Sequence, residues 1–186
     1  MLSQLSHLAK NPVIRDVMRD IDAIRLAELG ARASSICALT AMQNSRAKQI
    51  RQAVNINNIC HGRHVVYLDT YIKNKKHRQH ASFIIVSYRS CINLGLSHLE
   101  SIIQAFTLYK NTLIRHSDSR SIIEFDHAFL LIQETNKATD YDLSECKCCK
   151  LQFFHYKYDL PLVCPFCNGK EHQLSTPAKS TKSGIQ

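Results

Sequence analysis

The stretch from Cys146 to Cys167, CKCCKLQFFHYKYDLPLVCPFC, holds five of the chain's eight cysteines, and it limits what the chain around it can fold into. Cys146 and Cys149 form one C-x-x-C pair, Cys164 and Cys167 form a second, and fourteen residues separate the pairs. Two thiolates from each pair can converge on one ion, which is the ligand pattern of a four-cysteine zinc ribbon. The intervening LQFFHYKYDLPLV is expected to run out as a strand, turn near Asp159 to Pro161, and return with the second pair. Four sulfurs close a tetrahedron and leave no position for water or substrate, so the expected zinc ion, one per chain, is structural. Cys148 is too close to Cys149 to share a two-residue knuckle and stands outside the ligand set. The competing readings are a pair of disulfides in a secreted domain, or five unrelated buried thiols. Against the first, MLSQLSHLAKNPVIRDVMRD lacks a continuous apolar stretch and carries Asp16 and Asp20, unlike a secretory leader. A cytoplasmic chain with reduced thiols is the expectation.

At 186 residues and 45% hydrophobic content, the chain has room for one sizeable core and a small metal-held appendage. No apolar run approaches the ~20 residues that span a bilayer, so no membrane partner is expected. The net charge is +9, and the excess is concentrated. From Gln43 to Arg89 the bases Arg46, Lys48, Arg51, Arg63, Lys73, Lys75, Lys76, Arg78 and Arg89 face a single acid, Asp69. That bias suits a polyanionic partner; its competing reading is a solvated face that only keeps the protein dispersed.

Val13, Val17, Ile21, Ile24 and Leu29 recur at helical spacing after Asn11 and Pro12, which predicts an amphipathic helix over 12–29. Its apolar face either packs on the chain's own core or accepts a partner subunit. ARASSICALTAMQNSRAKQIRQAV then reads as two short helices with a turn around Met42 to Asn44 and a cap at Asn44 or Ser45, a helix-turn-helix-like segment at 31–54. In its second helix Ala47, Ile50 and Val54 share one side. Ser45, Arg46, Lys48, Gln49 and Gln52 then face outward with Arg51 on the flank, side chains suited to phosphates and base edges.

Residues 55–79 read as a surface segment, with a strand or short helix over Val65 to Ile72 and the basic run KNKKHR. His61, His64, His77 and His80 fit no metal spacing and are expected at the surface or on phosphates. Helices follow from Ala81 to a stop at Gly95, from Ser97 with Leu99, Ile102, Ile103, Phe106, Leu108 and Tyr109 inward, and from Ser121 with Ile123, Phe125, Phe129, Leu130 and Ile132 inward. The isolated Cys37, Cys60 and Cys91 read as small buried residues. The fold class is mainly α, with a helical body over 1–140, a zinc ribbon over 141–172, and a polar tail over 173–186 expected to be disordered. No glycine-rich phosphate loop, G-x-S-x-G or convincing acid pair appears, so no enzyme is expected.

Several segments resemble the FlhC family, the C subunits of the bacterial flagellar master activator and their relatives on conjugative elements. They are LAELGARASSICALTAMQNSRAKQIRQ, with Leu29 to Arg32 and Ser45-Arg46; His80-Ala81-Ser82; Gly95; IQAFTLY; FDHAFLLIQ; and LSECKCCKLQFF with CPFC. The resemblance implies a mainly helical subunit, zinc on Cys146, Cys149, Cys164 and Cys167, and a hetero-oligomer with a smaller FlhD-like subunit that binds double-stranded promoter DNA and recruits RNA polymerase. Where flagellar members have a segment of the type Gly-x-Leu-Pro-x-Ser-x-x-Trp-Phe, this chain has HGRHVVYLDTYIKNKKHR, and it has no tryptophan. That departure points toward the relatives that switch on conjugative-transfer genes, with a flagellar master activator subunit as the alternative.

DNA contacts are accordingly expected from Ser45, Arg46, Lys48, Gln49 and Arg51, from Lys73, Lys75, Lys76 and Arg78, and from Lys147, Lys150 and Lys157 near the cysteines. The alternative of another class is a zinc-ribbon adaptor that binds proteins while its charge only solubilises. A zinc hydrolase is disfavoured by the four-sulfur ligand set.

Overall fold

The computed structural model describes residues 11–54, 68, 71, 73–115, 123–137, 140–158 and 162–167. Among these residues six helices precede one two-stranded antiparallel sheet: α1 (Pro12–Glu28), α2 (Ala33–Thr40), α3 (Asn44–Val54), α4 (Lys75–Asn93), α5 (His98–Arg115), α6 (Phe125–Lys137), β1 (Tyr141–Glu145) and β2 (Gln152–Tyr156). The mainly helical class expected from the sequence is the one observed. Two regions lie outside the described residues: the tail over 173–186 and most of the segment that includes His61, His64 and Val65 to Ile72.

Asn11 starts α1 as expected, its Oδ1 accepting from the Val13 amide at 2.9 Å with Pro12 in the first turn. The inward line of this helix is Ala23, Leu26 and Ala27, all fully buried; the two alanines let α2 and α3 approach closely. Of the stripe read from the sequence, Val13, Val17, Ile21 and Ile24 lie on the opposite side and Leu29 packs against the core. Val13 and Val17 are 68% and 53% exposed, and Met18, Ile21 and Ile24 are exposed beside them. Leu29 turns the chain and Gly30 takes φ +93°, a left-handed conformation that costs glycine little. Ala31 is then fully buried, and Arg32 stands before α2.

α2 and α3 are joined by Ala41 to Gln43, with Ala41 itself left-handed at φ 54°. The second helix begins at Asn44, so its capping position falls at Gln43, one residue before the expected caps. Ala47 and Ile50 are buried and Val54 is partly buried, as the spacing required.

α4 is the central element, packed on α5, α6 and β2. It begins at Lys75, six residues before the expected start, because Asn74 is an N-cap whose Oδ1 accepts from the amides of Lys76 and His77 at 2.9 and 3.3 Å. The basic run is therefore the first turn of a helix. His80 is also not a surface residue: its Nδ1 is 2.9 Å from the Tyr109 hydroxyl, which accepts from the Ile123 amide at 3.2 Å. Tyr88 makes a second bridge of the same kind to His98 Nδ1 at 2.8 Å, and its oxygen also accepts from Asn136 Nδ2 at 3.1 Å. Ile102, Ile103, Phe106 and Tyr109 of α5 are buried, but Leu108 faces outward; α6 begins at Phe125 rather than Ser121, with Leu130 only partly buried.

Two ionic contacts tie α1 and α2 to this body. The Arg25 guanidinium grips Glu100 of α5 with both forks at 2.8 Å. Asp126 of α6 receives the Arg32 guanidinium at 3.2 Å, the Arg32 amide at 3.1 Å and the Ser35 hydroxyl at 2.5 Å. Arg32 and Asp126 side chains are 15% and 13% exposed, so the pair is part-buried and partly shielded from water.

The hydrogen bonds from Arg25 and then Gln104 hold the Glu100 carboxyl below its usual value of 4.5. A carboxylate held down in the folded state stabilises the fold above that unfolded value and loses its contribution as pH falls through the lowered one. Glu100→Gln is expected to lower stability at pH 7 and to flatten the acid limb of a stability-against-pH curve, followed by urea unfolding between pH 7 and pH 3.

Candidate functional site

The first cysteine pair sits in the turn of a hairpin. Residues 141–145 of β1 pair in order with residues 156–152 of β2, from Tyr141 with Tyr156 to Glu145 with Gln152. The partner of β2 is thus the strand before the cysteines, and the strand expected to return after Pro161 does not form among the described residues. Beyond the last rung Cys146 donates its amide to Leu151 O and accepts from the Lys150 amide, both at 2.9 Å. Lys150 takes φ 61°, which for a non-glycine residue costs about 1 kcal/mol and bends the chain so that Cys146 and Cys149 face the same side.

Among the described residues the second pair has no strand of its own, and it is seated on α4. The Val163 carbonyl accepts from Arg78 Nη2 and the Pro165 carbonyl from Gln79 Nε2, the latter at 2.7 Å. Phe153 of β2 packs with Cys146 and Cys164 in a small apolar cluster, whereas its neighbour Phe154 points into the main core.

These two supports bring the sulfurs of Cys146, Cys149, Cys164 and Cys167 within 4.8 Å of one another. Cys146 Sγ lies 3.5 Å from Cys167 Sγ, and Cys149 Sγ lies 3.7 Å from Cys164 Sγ. A disulfide needs about 2.05 Å, so none of the four is bonded to another. A tetrahedron with metal–sulfur bonds of about 2.3 Å has edges near 3.8 Å, so the arrangement fits a four-thiolate metal with little rearrangement. Cys148 packs against the same small cluster but is not one of the four whose sulfurs converge.

The four thiols are not equivalent. The Cys149 amide, hydrogen-bonded to Cys146, draws that thiol down to about 6, while burial pushes Cys164 up to about 12.

The residues expected on DNA are mostly exposed, and some of them also contact the rest of the protein. Ser45, Arg46, Lys48 and Gln49 are exposed on α3 with Arg51 on its flank, as are Lys73, Lys75 and Lys76 near the start of α4 and Lys147 and Lys150 beside the hairpin turn. Two arginines already have protein partners. Arg46 holds Asp20 of α1 at 2.8 Å, and Arg78 lies between α4 and the second cysteine pair with its guanidinium 6.0 Å from the Phe153 ring centre. Sequence reasoning missed the part played by Gln79, Ser82 and Asp126. Asn74, a strong helix-capping residue before KKHR, was the one signal that would have placed Arg78 and Gln79 on α4.

Replacing any one of Cys146, Cys149, Cys164 or Cys167 by Ser is expected to abolish one-to-one metal binding and to loosen the chain beyond Glu145. Cys148→Ser is expected to retain both. Native mass spectrometry of the zinc-loaded variants, with limited proteolysis of the C-terminal region, checks the contrast.

No helix among the described residues is long and apolar enough to cross a membrane. No curated protein matches the chain. The family described as flagellar transcriptional activator (FlhC) matches residues 8–182, nearly the whole sequence, including α1 to α6, the hairpin and all four converging cysteines. The chain belongs to the FlhC family of transcriptional activators.

Proposed function

We propose that the chain is the DNA-binding subunit of a cytoplasmic hetero-oligomeric activator, which engages promoter DNA together with a FlhD-like subunit and recruits RNA polymerase. The carrying observation is the outward face of α3, where Ser45, Lys48, Gln49 and Gln52 stand exposed on a helix whose other side is buried. Family membership supports the same reading. In this reading α2 and α3 act as a helix-turn-helix, α3 meets base edges, and Lys73, Lys75, Lys76, Lys147 and Lys150 neutralise phosphates. Arg46 joins them by exchanging Asp20, a partner held in an exposed pair, for a phosphate. Arg51 contributes from the flank, and Arg78 contributes through the position it gives the neighbouring chain.

The cysteines hold zinc in a closed four-sulfur site that stabilises the chain after Glu145 and does no chemistry. The helical body over 1–140 and the metal-held region over 141–172 then work as one unit. The segment HGRHVVYLDTYIKNKKHR, unlike its flagellar counterpart, favours conjugative-transfer promoters as the targets. A mobility-shift titration over salt tests the DNA reading. Affinity should fall steeply with salt. Lys75→Ala with Lys76→Ala should weaken all sequences alike, and Gln49→Ala should relax preference at one base position by ~1–3 kcal/mol. Failure of any duplex to bind specifically, with or without the partner, would leave the adaptor reading in its place.

The exposed stripe of Val13, Val17, Met18, Ile21 and Ile24 is the surface on which the FlhD-like subunit docks, because apolar side chains at this spacing suit a partner helix. Val17→Asp combined with Ile21→Asp should abolish co-purification with the co-expressed partner while leaving the circular dichroism of the chain unchanged, since neither side chain is in the core. Undiminished co-purification would remove the stripe from the interface.

A further inference from the structure

A ribbon of two knuckles ordinarily presents its second cysteine pair from its own strands. Here the hairpin supplies only Cys146 and Cys149, and one face of α4 takes over the second half. Arg78 donates to Val163 O and Gln79 donates to Pro165 O at 2.7 Å, so the two accepting carbonyls bracket Cys164 on either side. One turn further along, Ser82 Oγ accepts from the Phe154 amide at 2.9 Å and donates to Arg78 O at 2.6 Å, which fixes β2 against the same helix face. The Arg78 guanidinium also covers Phe153, a side chain packed against Cys146 and Cys164. Both halves of the cysteine cluster are therefore registered on residues 78–82 of α4.

We infer that Arg78 and Gln79 are positioning residues for the Cys164 knuckle, and that through them metal occupancy controls the order of the first turn of α4. The inference rests on the reading of the four cysteines as a metal site. A loop anchored only by its two thiolates must lose conformational freedom when it binds metal, whereas one already held at the carbonyls before and after its cysteine has lost that freedom beforehand. Coupling of this kind is reciprocal: what the helix does for the metal, the metal does for the helix. The helix turn concerned is capped by Asn74 and carries Lys75 and Lys76 immediately before the two anchoring side chains. Metal occupancy thereby reaches two of the chain's exposed basic side chains without touching them.

The test uses the full chain as wild type, Arg78→Ala, Gln79→Glu and a control, Ser90→Ala, whose hydroxyl only back-bonds within α4 at Val86 O. Gln79→Glu keeps the side-chain length while removing the donor, so it decides the matter if Arg78→Ala fails to fold by circular dichroism. Zinc affinity is read by competition with a chromogenic chelator, and amide hydrogen exchange of residues 75–82 is followed with and without zinc. Zinc is expected to bind ~10- to 100-fold more weakly to Gln79→Glu and Arg78→Ala, the range found when outer-shell support is lost, with Ser90→Ala unchanged. Zinc removal is expected to speed exchange in residues 75–82 of the wild type and to have little further effect in the variants. Wild-type chain that takes up no zinc would overturn the metal reading itself. Wild-type binding matched within about twofold by both folded variants, or α4 exchange indifferent to zinc, would overturn the positioning role alone.

Discussion

Asp126 is the point on which the arrangement of the helices depends. Its carboxylate is ion-paired with the Arg32 guanidinium and accepts from the Arg32 amide and the Ser35 hydroxyl, so the start of α2 is bound to the start of α6 through one part-buried group. An ion pair partly shielded from water adds little net stability over an apolar substitute, but loss of one member leaves the other's charge uncompensated. What such a contact contributes is register. Gly30 turns the chain and buried Ala31 fits beneath it, so Arg32 has one place to go. The direction of α2, and with it the direction of α3, follows from that contact.

The helical body was legible because its periodicity is strong. Ala47 and Ile50 face inward on α3, and Ile102, Ile103, Phe106, Ile123, Phe125 and Ile132 fill the core as their spacing required. The four cysteines were legible for a different reason: two-residue knuckles constrain geometry whatever surrounds them. Less legible was which face of α1 is inside. Two alanines and one leucine pack better between helices than a row of valines and isoleucines, and amphipathicity alone does not separate a core face from a partner face. The strand pairing also escaped, because a cysteine knuckle can serve as the hairpin turn itself and so take its second strand from the residues before it.

The segments that carry the family resemblance meet one another in space. Arg32 reaches Asp126 in FDHAFLLIQ; His80 meets Tyr109 in IQAFTLY; Ser82 binds the Phe154 amide in LQFF. Each of these contacts joins segments distant in sequence, which is why pattern reading finds the segments separately and only the fold explains why they occur together. The basic residues divide along the same line. Arg25, Arg32 and Arg78 form fixed contacts within the protein, where a planar guanidinium with several donors suits them, whereas Lys48 and Lys75 stand exposed on helix surfaces.

The outward row of Val13, Val17, Ile21 and Ile24 also bears on how such a chain survives in a cell. Apolar side chains in a row attract any comparable surface, including another copy of the same helix and the binding sites of chaperones and proteases that survey unassembled subunits. Copies made in excess of whatever covers that row are aggregation-prone and open to turnover. Keeping that row covered, or keeping the copy number of the chain low, then becomes a physical requirement written on the first helix.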